Sequence, residues 1–71
     1  MDIQEKLDRI ADMLDRDPGT LAADTPLEDI GWDSMGMLGA IAIAKANGKT
    51  ITGDQVRAFT TVGDILKAAF Q

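Results

Sequence analysis

The 71-residue chain contains no histidine and no cysteine. Nucleophilic catalysis by serine needs a base beside it, and here no imidazole can supply one. No thiol offers a second nucleophile, a disulfide or a zinc ligand. Only three aromatics occur, Trp32, Phe59 and Phe70, so aliphatic and methionine side chains must fill the core. No segment approaches the roughly 20 apolar residues of a membrane span. The start, MDIQEKLDRI, lacks the basic end and apolar stretch of a signal peptide. The absence of cysteine fits a cytoplasmic location, and helix-like sequence directly after Met1 suggests a free-standing protein. The net charge of −5 disfavours nucleic acid, which demands a basic face.

What is present is helical punctuation. Seventy-one residues make one domain, 1–71. Ile3, Leu7, Ile10 and Leu14 recur at helical spacing, with Met13 widening the stripe. This predicts a first helix from Asp2 to Arg16, with Asp2 and Glu5 at capping-box spacing and Pro18-Gly19 as its stop. Residues 17–32 show no period and read as a long loop, anchored by Leu21, Leu27 and Ile30. Asp33 is a good N-cap, and Trp32 and Met37 have the spacing of a hydrophobic staple around it. A second helix therefore starts with Ser34 and runs to about Ala46, before Asn47-Gly48. Thr52 and Gln55 cap a short third helix, Gly53 to Ala58. Ile51 and Val56 have staple spacing around the same cap. A fourth starts near Thr61, with Asp64 three residues on. The expected fold is all-α: a small four-helix bundle, three main helices and one short, with a long loop between the first two. Leu7, Ile10, Leu14, Leu27, Leu38, Ile41, Ile65 and Leu66 are the expected core, and Met35, Leu38, Ile41 and Ala42 the expected inward stripe of the second helix.

The charge is uneven. Residues 1–33 hold ten acids and three bases, whereas residues 34–71 hold two acids and four bases. The stretch GWDSMGMLGAIAIAKA, Gly31 to Ala46, places one serine between the acidic half and an acid-free helix. With Asp33 as the better cap, Ser34 is free to point outward. The unpaired N–H groups and dipole of a helix start would stabilise a phosphate there. This permits a phosphoserine or a phosphodiester and does not choose between them. Asp24, Glu28 and Asp29 read as solvated loop charges, with a cation site as the alternative.

The segment DTPLEDIGWDSMGML, with the helix before it and TTVGDIL after it, resembles the acyl carrier protein family over nearly the whole chain. The resemblance implies that Ser34, preceded by Asp33, receives a covalent 4′-phosphopantetheine arm from coenzyme A. The arm's thiol would carry acyl or aminoacyl groups as thioesters. The chain is then not an enzyme but a substrate of a phosphopantetheinyl transferase and a partner of acyl-loading and acyl-transfer enzymes. No metal, no nucleic acid and a monomeric state are expected. Met35 stands where the family usually has leucine. Carriers of fatty-acid synthesis typically follow the serine with several acids on the second helix, and Ser34 to Ala46 has none. That departure points to a specialised carrier, gripped by partners through Met35, Gly36, Met37 and Ala40. The competing reading is an interaction module of the same fold that never takes the arm.

Overall fold

The computed structural model describes residues 2–71, leaving Met1 outside. Four α-helices follow in chain order: α1 (Ile3–Met13), α2 (Ser34–Ala46), α3 (Gly53–Arg57) and α4 (Val62–Phe70). A 3-10 turn, Leu27–Ile30, interrupts the loop between α1 and α2. No strand occurs among the described residues. The expected all-α bundle, with three substantial helices and one short one, is the fold observed.

The start of α1 is set by Asp2, whose carboxylate accepts the Glu5 N–H at 2.9 Å. The end comes earlier than the sequence suggests. Asp15 enters the left-handed region at φ 59°. The Arg16 N–H then closes onto the Ala11 carbonyl at 2.8 Å, and the Asp15 N–H onto the Asp12 carbonyl at 3.1 Å. Those two bonds form a Schellman closure, so Arg16 lies beyond the helix it was expected to finish. Leu7, Ile10 and Ala11 are buried, Leu14 is half-buried, and Ile3 is exposed, outside the stripe it was assigned to.

The loop is tied to the junction of α3 and α4 by backbone hydrogen bonds. The Leu27 N–H donates to the Thr60 carbonyl at 2.9 Å, and the Val62 N–H to the Thr25 carbonyl at 3.0 Å. The Gly63 N–H donates to the Ala23 carbonyl at 2.7 Å. A β-carbon on Gly63 would sit 2.8 Å from that carbonyl oxygen, so only glycine permits the approach. Leu21 and Leu27 are buried and Ile30 half-buried, the three anchors the loop sequence indicated.

Capping chemistry sets α3 and α4. Thr52 and Gln55 make both bonds of a capping box, at 2.9 and 3.1 Å, with Ile51 and Val56 buried on either side. Asp64 accepts the Thr60 and Thr61 N–H groups at 2.8 and 3.2 Å. Ile10, Leu27, Val62 and Ile65 are the largest fully enclosed side chains.

The inward face of α2 differs from the expected one. Gly36, Ala40 and Ala44 are buried. Met35 and Leu38 are 74% and 61% exposed, Ala42 is exposed and Ile41 is half-buried. Leu38 is therefore not core, and of the expected inward stripe Met35, Leu38, Ile41, Ala42 only Ile41 packs against the core, part-buried. The reason is volume. Small residues at positions 36, 40 and 44 let the α2 backbone close onto its neighbours, and α2 contacts α4, α1 and α3. A β-carbon at Gly36 would lie 2.9 Å from Trp32 Cε3 and 3.1 Å from Leu14 Cδ2. Large side chains on that face would push the helices apart.

Candidate functional site

Ser34 is the first residue of α2 and is exposed. The cap belongs to Asp33, whose carboxylate accepts the Gly36 N–H at 3.1 Å. The Ser34 hydroxyl is thus free of the bond that a serine at a helix start usually makes. The N–H groups of Ser34 and Met35 donate to no acceptor among the described residues. They add partial positive charge at the helix start. A negatively charged ester on Ser34 would meet two donors and the positive end of the helix dipole there. Asp33 opposes it with one carboxylate, already engaged with Gly36.

Glu28 and Asp29 lie exposed on the 3-10 turn, and Asp24 is exposed on the loop before it. No group of three or more potential metal-ligating side chains gathers among the described residues. No helix of the described chain is long and apolar enough to cross a membrane.

Of the surface residues expected beside Ser34, Met35 is exposed and Met37 half-buried. Gly36 and Ala40 are buried, packed on the inner side of α2. They face the interior of the bundle rather than the surface expected of them. In their place the structure brings out Leu38 and Ala42, one and two turns beyond Ser34. The acid-free sequence after Ser34 indicated an apolar helix but not its rotation.

Trp32 adds a feature that no sequence pattern announces. It is half-buried, and one edge of its indole, Cε3 and Cζ3, lies against Gly36. Its Nε1 is enclosed and has no hydrogen-bond partner among the described residues. An enclosed donor without an acceptor costs about 1–3 kcal/mol. Trp32 lines a groove of about 480 Å³ between the loop and the α3–α4 junction, with Pro26, Leu27, Glu28, Phe59, Thr60 and Thr61.

A serine at a helix start whose hydroxyl is left free by its neighbour's cap is suited to bear a covalent anionic group. Comparison with known families agrees: the family described as "Phosphopantetheine attachment site" matches residues 7–69. The chain belongs to this phosphopantetheine-binding family of acyl-carrier-like proteins. No individual curated protein and no solved structure matches it. The family binds 4′-phosphopantetheine covalently and works with transferases and acyl-handling enzymes. The free hydroxyl and the two unpaired N–H groups fit a phosphodiester at Ser34.

Proposed function

We propose that this chain is a carrier whose Ser34 takes the phosphopantetheine arm and which moves acyl or aminoacyl groups between enzymes as thioesters. The observation that carries the reading is the division of labour between two neighbours. Asp33 caps α2, so Ser34 keeps an exposed, uncommitted hydroxyl. In the transfer, a bond forms between Ser34 Oγ and the phosphorus of the phosphopantetheine unit of coenzyme A. The pyrophosphate bond of coenzyme A breaks, and the nucleotide leaves with the bridging oxygen. The hydroxyl proton must pass to a base on the transferase, because the chain has no histidine. The arm, when attached, supplies the thiol that holds the cargo.

The proposal includes a specialised pathway rather than bulk fatty-acid synthesis, and a cytoplasmic monomer. Its support is the composition of α2. Enzymes that meet Ser34 also meet Met35, Leu38 and Ala42, with no carboxylate between Ser34 and Ala46. Docking is then led by apolar contact, with the acids of the loop as a smaller contribution.

Intact mass after incubation with coenzyme A, magnesium and a phosphopantetheinyl transferase tests the assignment. Wild type should gain one phosphopantetheine and Ser34→Ala none. A wild-type chain that stays at its original mass with several such transferases would favour the interaction-module reading.

A further inference from the structure

We propose that the notch between Lys45 and Lys49, at the far end of α2, is a subsite for cargo that ends in a free carboxylate, so that the acyl groups this chain carries are thioesters of dicarboxylic acids. The inference rests on attachment at Ser34 and adds the class of cargo.

The notch holds about 240 Å³ and is lined by Ile41, Lys45, Lys49, Thr50 and Ile51. Ile51 is buried and Ile41 half-buried, whereas Lys45, Lys49 and Thr50 are exposed. The floor is thus apolar and the rim cationic. The negative end of the α2 dipole favours Lys45, in the last turn. The chain then folds back through Gly48 at φ 75°, and the Lys49 N–H reaches the Ala44 carbonyl at 2.8 Å. That closure brings a second cation to the same notch. Neither lysine has an acidic partner among the described residues. Both acids of residues 34–71 are engaged elsewhere. Asp54 pairs with Arg57, and Asp64 accepts the Thr60 and Thr61 N–H groups. Two ammonium groups and a hydroxyl over an apolar floor suit a carboxylate at the end of a short hydrocarbon chain.

Position ties the notch to the arm. Spacings of four, three and four place Ser34, Leu38, Ile41 and Lys45 on one face of α2. The helix rises about 16 Å from Ser34 to Lys45. From phosphorus to sulfur the arm is as long as roughly four residues of extended chain, about 15 Å. A short diacyl group extends it past Ile41 to the ammonium groups. An exposed ion pair is weak between free molecules. Here the carboxylate is tethered, so its effective concentration at the notch is high. A neutral acyl group of equal length gives the lysines nothing to pair with. Cargo laid along the exposed Leu38 covers part of the apolar face of α2, so an enzyme that docks there lifts the cargo off.

Two cargoes of equal chain length decide the matter. A phosphopantetheinyl transferase loads the 15N-labelled chain from succinyl-coenzyme A in one sample and from butyryl-coenzyme A in the other. At low salt the succinyl form should shift the amide resonances of Lys45, Lys49 and Thr50 several times further than the butyryl form does, both measured from the unmodified protein. The excess should fade at high salt and in the double variant Lys45→Gln, Lys49→Gln. Equal shifts with both cargoes, or none with either, overturn the proposal even if the double variant fails to fold. An excess that survives in a folded double variant overturns it as well. Intact mass separates this from the attachment reading. A chain that never gains the arm overturns attachment at Ser34, and the subsite with it. One that gains both cargoes and gives coinciding spectra overturns only the subsite.

Discussion

Gly39 of α2 faces Met13 of α1 so closely that a β-carbon at position 39 would fall 2.5 Å from Met13 Cγ, and closer still to its sulfur. The missing side chain on one helix is filled by the thioether of the other. This contact decides how near α1 and α2 can come. It leads to the first prediction. Alanine normally stabilises a helix interior by about 1 kcal/mol over glycine. At position 39 the gain is opposed by overpacking of about 1–3 kcal/mol. Gly39→Ala should therefore lower stability by about 1 kcal/mol in the wild-type background. In a Met13→Ala background the same change should raise it by about 1 kcal/mol. Urea denaturation of the four proteins gives the coupling. Equal effects in both backgrounds would mean that Met13 does not limit the approach.

A second prediction concerns Asp15. It occupies the left-handed position of the α1 closure at φ 59°, where Gly48 at φ 75° serves α2. In both closures the next N–H reaches back at 2.8 Å, Arg16 to Ala11 and Lys49 to Ala44. The left-handed conformation is strained for a residue with a side chain, and a carboxylate is unfavourable at a helix C-terminus. Asp15→Gly should relieve both and raise stability by about 1 kcal/mol. Gly48→Ala should lower it by a similar amount. Asp15→Asn removes the charge alone and should give only the electrostatic share. Thermal melts of the three variants distinguish these contributions.

Asp64 gives a pH-dependent prediction. Backbone hydrogen bonds, from Thr60 first and then Thr61, hold its carboxyl below the usual carboxylate range. A folded-state pKa below the unfolded one contributes stability that is complete above the unfolded value. The contribution fades as pH falls through the folded value. Asp64→Ala should therefore cost about 1 kcal/mol near neutral pH, as the loss of a helix-start bond does. The difference from wild type should stay level down to about pH 5 and shrink below the ordinary carboxylate range. A difference that grows on acidification would assign the contribution to another group.

The exposed face of α2 can be tested without knowing the cargo. Met35→Glu and Leu38→Glu alter surface positions and should leave stability within about 0.5 kcal/mol of wild type. Each should nevertheless raise the KM for transfer of phosphopantetheine to Ser34 several-fold. Glu28→Gln should change it little. The wild-type KM should vary only weakly between low and physiological salt, because apolar contact is not screened. A steep salt dependence with a tolerant Leu38 would place docking on the acidic loop.

Much of this molecule is legible residue by residue. Asp33, Thr52 with Gln55, and Asp64 mark helix starts because a short side chain three residues from a backbone N–H acts locally. Leu21, Leu27 and Ile30 stand out in the loop as its apolar anchors. Ser34 is conspicuous for the same local reason: its neighbour is the better cap. The rotation of α2 is another matter. The segment from Ser34 to Ala44 has no charged side chain, so no polar face sets its phase. Hydrophobicity alone favours Met35, Leu38 and Ile41 inside. Close packing against Met13, Leu14 and Trp32 instead selects Gly36, Gly39 and Ala40, because nothing larger fits between the helices. The unpaired Trp32 nitrogen and the carbonyl of Ala23 against Gly63 have the same origin. The sequence by itself determined where the helices begin and that its one serine leaves the cap to Asp33. Only the tertiary structure decided which face of α2 is turned outward, because steric fit between distant segments leaves no mark on the spacing of either one.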